Sequence, residues 1–96
     1  MQIRDTVALI SGGGSGLGEA TARRLANGGA TIVVLDRDGA KASAVAESLP
    51  GDHLGLSGDV TKPDTIQAAL EAAKALGPLR TVVNTAGVGW AKRTLS

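Results

Sequence analysis

Apolar and polar positions fall in blocks along this chain, short β-branched runs alternating with longer stretches of helical spacing. Thr6-Val7-Ala8-Leu9-Ile10 is nearly continuous in apolar character and is closed by Ser11-Gly12-Gly13-Gly14-Ser15-Gly16, which predicts a buried strand running into a turn-forming loop. Beyond Gly16, the positions Leu17, Ala20, Thr21 and Leu25 recur at helical intervals, and Gly28-Gly29 suits a helix C-terminus. Thr31-Ile32-Val33-Val34-Leu35 predicts a second strand, closed by Asp36-Arg37-Asp38-Gly39. The helix formers from Ala40 to Leu49 predict a second helix, ending before Pro50-Gly51.

His53-Leu54-Gly55-Leu56 predicts a shorter third strand, weakened by its glycine. Thr61 reads as the N-cap of a third helix, with Pro63 in its first turn and Asp64 favouring the helix start. Ile66, Ala69, Leu70, Ala73 and Leu76 form its predicted buried stripe, and Gly77-Pro78 stops it. Thr81-Val82-Val83-Asn84-Thr85 is the fourth predicted strand. The remaining residues, Ala86 to Ser96, form a glycine-containing loop without periodicity.

Strands alternating with helices imply a parallel sheet with right-handed crossovers, an α/β arrangement in three layers. In the order 3-2-1-4, the first two crossovers run one way along the sheet and the third runs back. That places helices on both faces and opens a crevice beside the first strand. Strand four is then an edge, yet Val82 and Val83 point to opposite faces and both read as buried. A further segment is therefore expected to pair there.

At 96 residues the chain is one domain, 1–96, and a multidomain reading is excluded. Trp90 is its single aromatic residue, so branched aliphatics must fill the core. Ten basic against nine acidic residues give a net charge of +1 with no long single-sign run, which offers no surface for nucleic acid. The absence of cysteine removes disulfides, thiolate zinc sites and thiol nucleophiles, and no metal site is expected. Neither an export signal nor a membrane-spanning segment is visible, so no membrane partner is expected and the cytoplasm is the expected compartment.

The chemistry concentrates where glycines do. Gly12, Gly16 and Gly18 have the spacing GxxxGxG between a predicted strand and a predicted helix. Gly12 permits a sharp turn, Gly16 lets the backbone approach a phosphate, and Gly18 lets the helix pack closely on the strand. The helix start adds unpaired N–H groups and a positive dipole end, so a pyrophosphate is the natural ligand; the alternative is a glycine turn with no ligand. Asp36, at the end of the second strand, can accept hydrogen bonds from an adenosine ribose diol and would repel a ribose phosphate. It therefore favours NAD over NADP, as does uncharged Ser15, while Arg37 is the contrary sign. Asp36 also suits a plain strand-end turn, Asp59 a capping position and Asn84 a turn. His53 reads as a strand-start or satisfied core residue rather than a base.

Taken together, Ser11-Gly12-Gly13-Gly14-Ser15-Gly16-Leu17-Gly18, Asp36, Asp59-Val60 and Asn84-Thr85-Ala86-Gly87 resemble the first half of a short-chain dehydrogenase/reductase, a family with a Rossmann-type, doubly wound fold. The resemblance implies an NAD-binding half-domain in which Gly12, Ser15, Gly16, Leu17 and Gly18 hold the pyrophosphate. It further implies that Asp36 holds the ribose, Asp59 and Val60 contact adenine, and Asn84, Ala86 and Gly87 line the cofactor and brace the sheet. Thr85 departs from the family's Asn-Asn-Ala-Gly, and Ser11 stands where threonine is usual. The family's catalysis uses a tyrosine, a lysine and a serine from its later half. With no tyrosine among the 96 residues, no residue here is nominated as catalytic.

By resemblance, the complete enzyme transfers hydride between nicotinamide and a small secondary alcohol or ketone and is a homo-oligomer. The alternative is a truncated, stand-alone nucleotide-binding or interaction module without turnover. Trp90 either flanks a substrate mouth or holds its loop, and Val88 to Leu95 loosely resembles dehydrogenases of hydroxyacyl thioesters and hydroxysteroids.

Overall fold

A computed structural model describes residues 4–14 and 16–85 of the chain. Ser15, Ala86, Gly87, Trp90 and the loop expected over 86–96 lie outside the described residues. Each predicted strand and helix forms: β1 (Val7–Ser11), α1 (Gly16–Asn27), β2 (Thr31–Asp36), α2 (Gly39–Ser48), β3 (Leu54–Ser57), α3 (Pro63–Leu76) and β4 (Leu79–Asn84). The four strands make one parallel sheet in the order β3-β2-β1-β4, the doubly wound Rossmann-type arrangement.

The period-two alternation of the central strands sorts the core into two layers. Ala8, Ile10, Ile32 and Val34 face α1 and α2, meeting Ala22, Ala26, Ala42, Val45, Ala46 and Leu49. Val7, Leu9, Val33 and Leu35 face α3, meeting Ala69 and Ala73. Burying each of these larger aliphatic side chains is worth about 1.5–3 kcal/mol.

Four local expectations are corrected. The buried face of α1 is Gly18, Ala22 and Ala26, with Leu25 half-buried against the same core, while Leu17 of the expected stripe is 60% exposed, because the helix start presents Gly18 to the glycine loop too closely for a side chain. In α3, Ala69 and Ala73 are buried but Leu76 is exposed. Thr61 does not cap α3: the N-cap position is Lys62, without a side-chain cap, since the Thr61 hydroxyl donates backwards to Asp59 Oδ1 at 2.7 Å. Finally, Val82 is not buried but 60% exposed. It shares a register position with Leu9 on the α3 side, but α3 lies over β1 and β2 and leaves this edge uncovered. Val83, on the other face, is half-buried against the α1 layer.

A polar cap and a glycine contact fix α2 against its neighbours. Asp38 caps α2, its Oδ1 accepting from the Ala40 and Lys41 amides at 3.1 and 3.2 Å. Gly55, which weakens β3 as a sequence pattern, is required by packing: a Cβ there would stand 2.7 Å from the α2 backbone at Ala42 and Ser43. No helix among the described residues is long and apolar enough to cross a membrane.

Candidate functional site

Because all four strands are parallel, their carboxyl ends lie along one side of the sheet. The order reverses there between β1 and β4, the usual location of a ligand crevice in such folds. Ser11 and Gly12 follow β1, Asp36 closes β2, Asp59 lies just beyond β3, and Asn84 and Thr85 end β4. The topology therefore brings the described candidate residues to one end of the sheet.

The glycine loop is built in two halves. Gly12 turns the chain at φ 76°, and its N–H donates to the Leu35 carbonyl at 2.7 Å, with the Gly13 N–H on the same oxygen at 3.4 Å. The Gly14 N–H donates to Asp36 Oδ2 at 3.0 Å. The opening amides are thus spent on the protein itself. The second half differs: Gly16 has φ 26°, and a side chain built on it would find nothing within 4 Å. Its backbone stands open where the first amides of α1 lack intrahelical acceptors. Gly18 is the opposite case, since a side chain there would run into the Gly12 carbonyl oxygen, the Gly13 Cα at 2.6 Å and Thr85 Oγ1 at 2.8 Å. An open backbone, a helix dipole and a sharp turn together make a cradle that fits a diphosphate.

The half-buried Asp36 carboxylate is held from two sides, Oδ2 by Gly14 and Oδ1 by the Asp38 N–H at 2.9 Å. Each oxygen retains acceptor capacity, as a ribose diol requires. Asp59 accepts from Thr61 twice, from its hydroxyl at 2.7 Å and its amide at 2.9 Å. These hydrogen bonds hold its carboxyl below the usual carboxylate range, with smaller help from the positive charges of Arg37 and Lys62 against a desolvation penalty. Val60 packs against the α3 core layer. Leu17 projects into solvent at the start of α1.

At the end of β4, the Ser11 hydroxyl donates to Asn84 Oδ1 at 2.9 Å, which braces β1 against β4. Thr85 reaches further: its N–H donates to the Ser11 carbonyl at 2.9 Å, and its hydroxyl lies 2.9 Å from that oxygen and 3.1 Å from the Gly12 carbonyl. Sequence reasoning passed over Gly13, Gly14 and Thr85. A run of three glycines exceeding what GxxxGxG needs was the available signal for the first two. At Gly13 a Cβ would meet Val34 Cγ1 at 2.8 Å, and at Gly14 it would meet Asp36 Oδ2 at 2.7 Å and Lys41 Cβ at 2.9 Å.

His53 stands away from this end and is engaged structurally. Its Nδ1 accepts from the buried Ile32 N–H at 2.9 Å and its Nε2 lies 2.7 Å from the Pro50 carbonyl, which fixes the proton on Nε2. Among the described residues no group of three His, Asp or Glu side chains could hold a metal ion.

A cradle of this kind at the reversal of a doubly wound sheet defines a dinucleotide-binding class of protein. The family profile described as short chain dehydrogenase matches residues 6–96, and the chain belongs to that family. It is 40% identical over 95 residues to 3-hydroxyacyl-CoA dehydrogenase type-2 of Drosophila melanogaster, covering 98% of this chain and 37% of the relative. It is 43% identical over 84 residues to carbonyl reductase family member 4 of Danio rerio, covering 85% of this chain and 35% of the relative. Among solved structures, it matches 3-hydroxyacyl-CoA dehydrogenase type-2 from Mycobacterium avium with a TM-score of 0.80 at 42% identity, covering 90% of this chain and 34% of that one. It matches 3-ketoacyl-(acyl-carrier-protein) reductase from Brucella melitensis, complexed with NADH, with a TM-score of 0.77 at 41% identity, covering 83% and 33%. The chain thus spans about a third of the length of these relatives.

Proposed function

We propose that this chain is the NAD-binding part of a short-chain oxidoreductase that moves hydride between nicotinamide and a secondary alcohol or ketone. The observation that carries the reading is the Gly14–Asp36 hydrogen bond. It fixes the ribose-binding carboxylate to the diphosphate loop, so that one rigid unit presents both halves of an adenosine diphosphate site. In this reading Gly12, Ser15, Gly16, Leu17 and Gly18 surround the diphosphate, and Asp36 accepts from the ribose hydroxyls. Asp59 and Val60 border the adenine, while Asn84, Ala86 and Gly87 lie along the cofactor toward its nicotinamide end. The bound cofactor supplies the hydride. Asp36 disfavours NADP because its anchored negative charge would face the extra phosphate. The hydroxyacyl-CoA and ketoacyl-carrier-protein names of the relatives support a β-hydroxyacyl or β-ketoacyl thioester as the substrate class.

A second reading is a nucleotide-binding module without turnover. The intact mass of the natural protein separates the two: 9.5 kDa fits the module, and a much heavier species fits the enzyme. Binding is tested by NMR titration of the isotope-labelled chain. NAD is expected near 1 mM, about 4 kcal/mol, shifting the Gly12 to Gly18 amides, with NADP weaker and the preference lost in Asp36→Asn. Equal or tighter NADP binding by the unmodified chain overturns the assignment.

A further inference from the structure

We infer that Thr85 is a positioning residue for the diphosphate loop, its hydroxyl clamping the turn at Gly12 so that the start of α1 meets the ligand in one fixed arrangement. The inference rests on the dinucleotide reading of the site. Its starting point is hydrogen-bond accounting. The Thr85 N–H donates to the Ser11 carbonyl at 2.9 Å, continuing the β1–β4 ladder beyond the Ser11–Asn84 pair. The hydroxyl has a single proton. That proton lies between two carbonyl acceptors, Ser11 at 2.9 Å and Gly12 at 3.1 Å, and bridges them.

The Gly12 residue is then held on both sides, its N–H by Leu35 at 2.7 Å and its carbonyl by Thr85. This pins the left-handed turn at φ 76° from which the loop departs. The same hydroxyl lies 2.8 Å from the point where a Gly18 side chain would begin, so it binds the turn and borders the first turn of α1. The diphosphate needs the loop and the helix start in one relative position. Without the clamp, the peptide between Gly12 and Gly13 keeps only the long 3.4 Å bond from its N–H to Leu35, and part of that ordering must be supplied on each binding event.

The test uses the full chain, isotope-labelled, as wild type, Thr85→Val and Thr85→Ser. Valine keeps the shape and removes the hydroxyl, while serine keeps the hydroxyl. NMR titrations use two probes, ADP-ribose and adenosine, which lacks the diphosphate. Thr85→Val is expected to weaken ADP-ribose by roughly three- to tenfold, the worth of one hydrogen bond, and to leave adenosine unchanged; Thr85→Ser is expected to restore wild-type affinity. An undiminished ADP-ribose affinity in Thr85→Val, or an equal loss for both ligands, overturns the inference, because a merely structural role weakens both alike. Should the wild type fail to bind ADP-ribose, the dinucleotide reading falls, and the clamp is judged on the ligand-free chain. Amide exchange at Gly12 and Gly13 is then expected to quicken in Thr85→Val but not in Thr85→Ser, and identical exchange in the two variants overturns it.

Discussion

Replacing Gly18 with alanine separates packing from backbone conformation at this site. The added methyl would enter space held by the Gly12 carbonyl oxygen, the Gly13 Cα at 2.6 Å and Thr85 Oγ1 at 2.8 Å. Two of those three atoms are backbone and cannot swing away as a side chain does. Overpacking of this kind costs about 1–3 kcal/mol. Alanine returns up to ~1 kcal/mol over glycine inside a helix, but Gly18 lies in the first turn of α1, where that gain is smaller. A net loss of about 1–2 kcal/mol is expected, which in a domain of this size lowers the melting temperature by roughly 5–15 °C. Urea unfolding followed by far-ultraviolet circular dichroism measures it directly. Gly16→Ala is the control, with no atom within 4 Å of the new methyl, so that only the left-handed backbone cost of about 1–2 kcal/mol remains. Adding Thr85→Ala should rescue Gly18→Ala little, because the backbone contacts persist. Wild-type stability in Gly18→Ala would refute the close-packed junction, and full rescue by Thr85→Ala would show that the clash is with the side chain alone.

Three further outcomes follow from the structure. His53→Ala removes the acceptor of the Ile32 amide, whose residue is fully buried; a loss of about 1–3 kcal/mol is expected in the same unfolding assay, and an unchanged midpoint would show that another acceptor serves that amide. Thr61→Val removes the largest cause of the lowered Asp59 pKa, so the NMR titration of the Asp59 carboxyl should move up toward the usual carboxylate range. Because the folded state favours ionised Asp59, its contribution to stability is present above that range and is lost as pH falls through the lowered folded-state value; a titration unmoved in Thr61→Val counts against the cause given. Val82→Lys places a charge on the uncovered edge of β4 and should reduce self-association measured by sedimentation; a wild type that stays monomeric at high concentration argues against a sticky edge.

The elements and their order were legible because three of the four strands carry β-branched residues and each turn is marked by Gly, Pro or Asp. Faces were harder to read. In α1 the expected stripe is right at Leu25, which packs against the core, and wrong at Leu17, because the glycine loop at the helix start admits only Gly18 there, a constraint set by local backbone contact rather than by periodicity. Val82 misleads in a related way: its neighbours in sequence resemble a central strand, but burial depends on what covers the α3 side of β4, which no pattern within the strand specifies. At the site, the glycine spacing and Asp36 were readable because they are backbone requirements and charges. Thr85 was not, because its role lies in reaching the carbonyl of a residue far away in sequence, where the motif gave reason to expect asparagine.

The division of the loop bears on how strongly a ligand can bind. Leu35 and Asp36 take the Gly12, Gly13 and Gly14 amides at distances of 2.7, 3.4 and 3.0 Å, so folding has already ordered the first half of the loop. A ligand need not supply that ordering, and more of its contact energy goes into affinity. The same economy ties binding to stability, because any substitution that loosens β2 at Leu35 or Asp36 releases the loop as well. Loop variants that weaken diphosphate binding should therefore fall into two groups, those that also lower the unfolding midpoint through Leu35, Asp36 or Gly18 and those at the open Gly16 backbone that alter binding with less effect on packing. Gly16→Val tests the second group. Its branched side chain enters open space yet stands over the approach to the helix amides, and it should abolish ADP-ribose shifts in a chain that still unfolds cooperatively. Retained binding in that variant would place the diphosphate elsewhere.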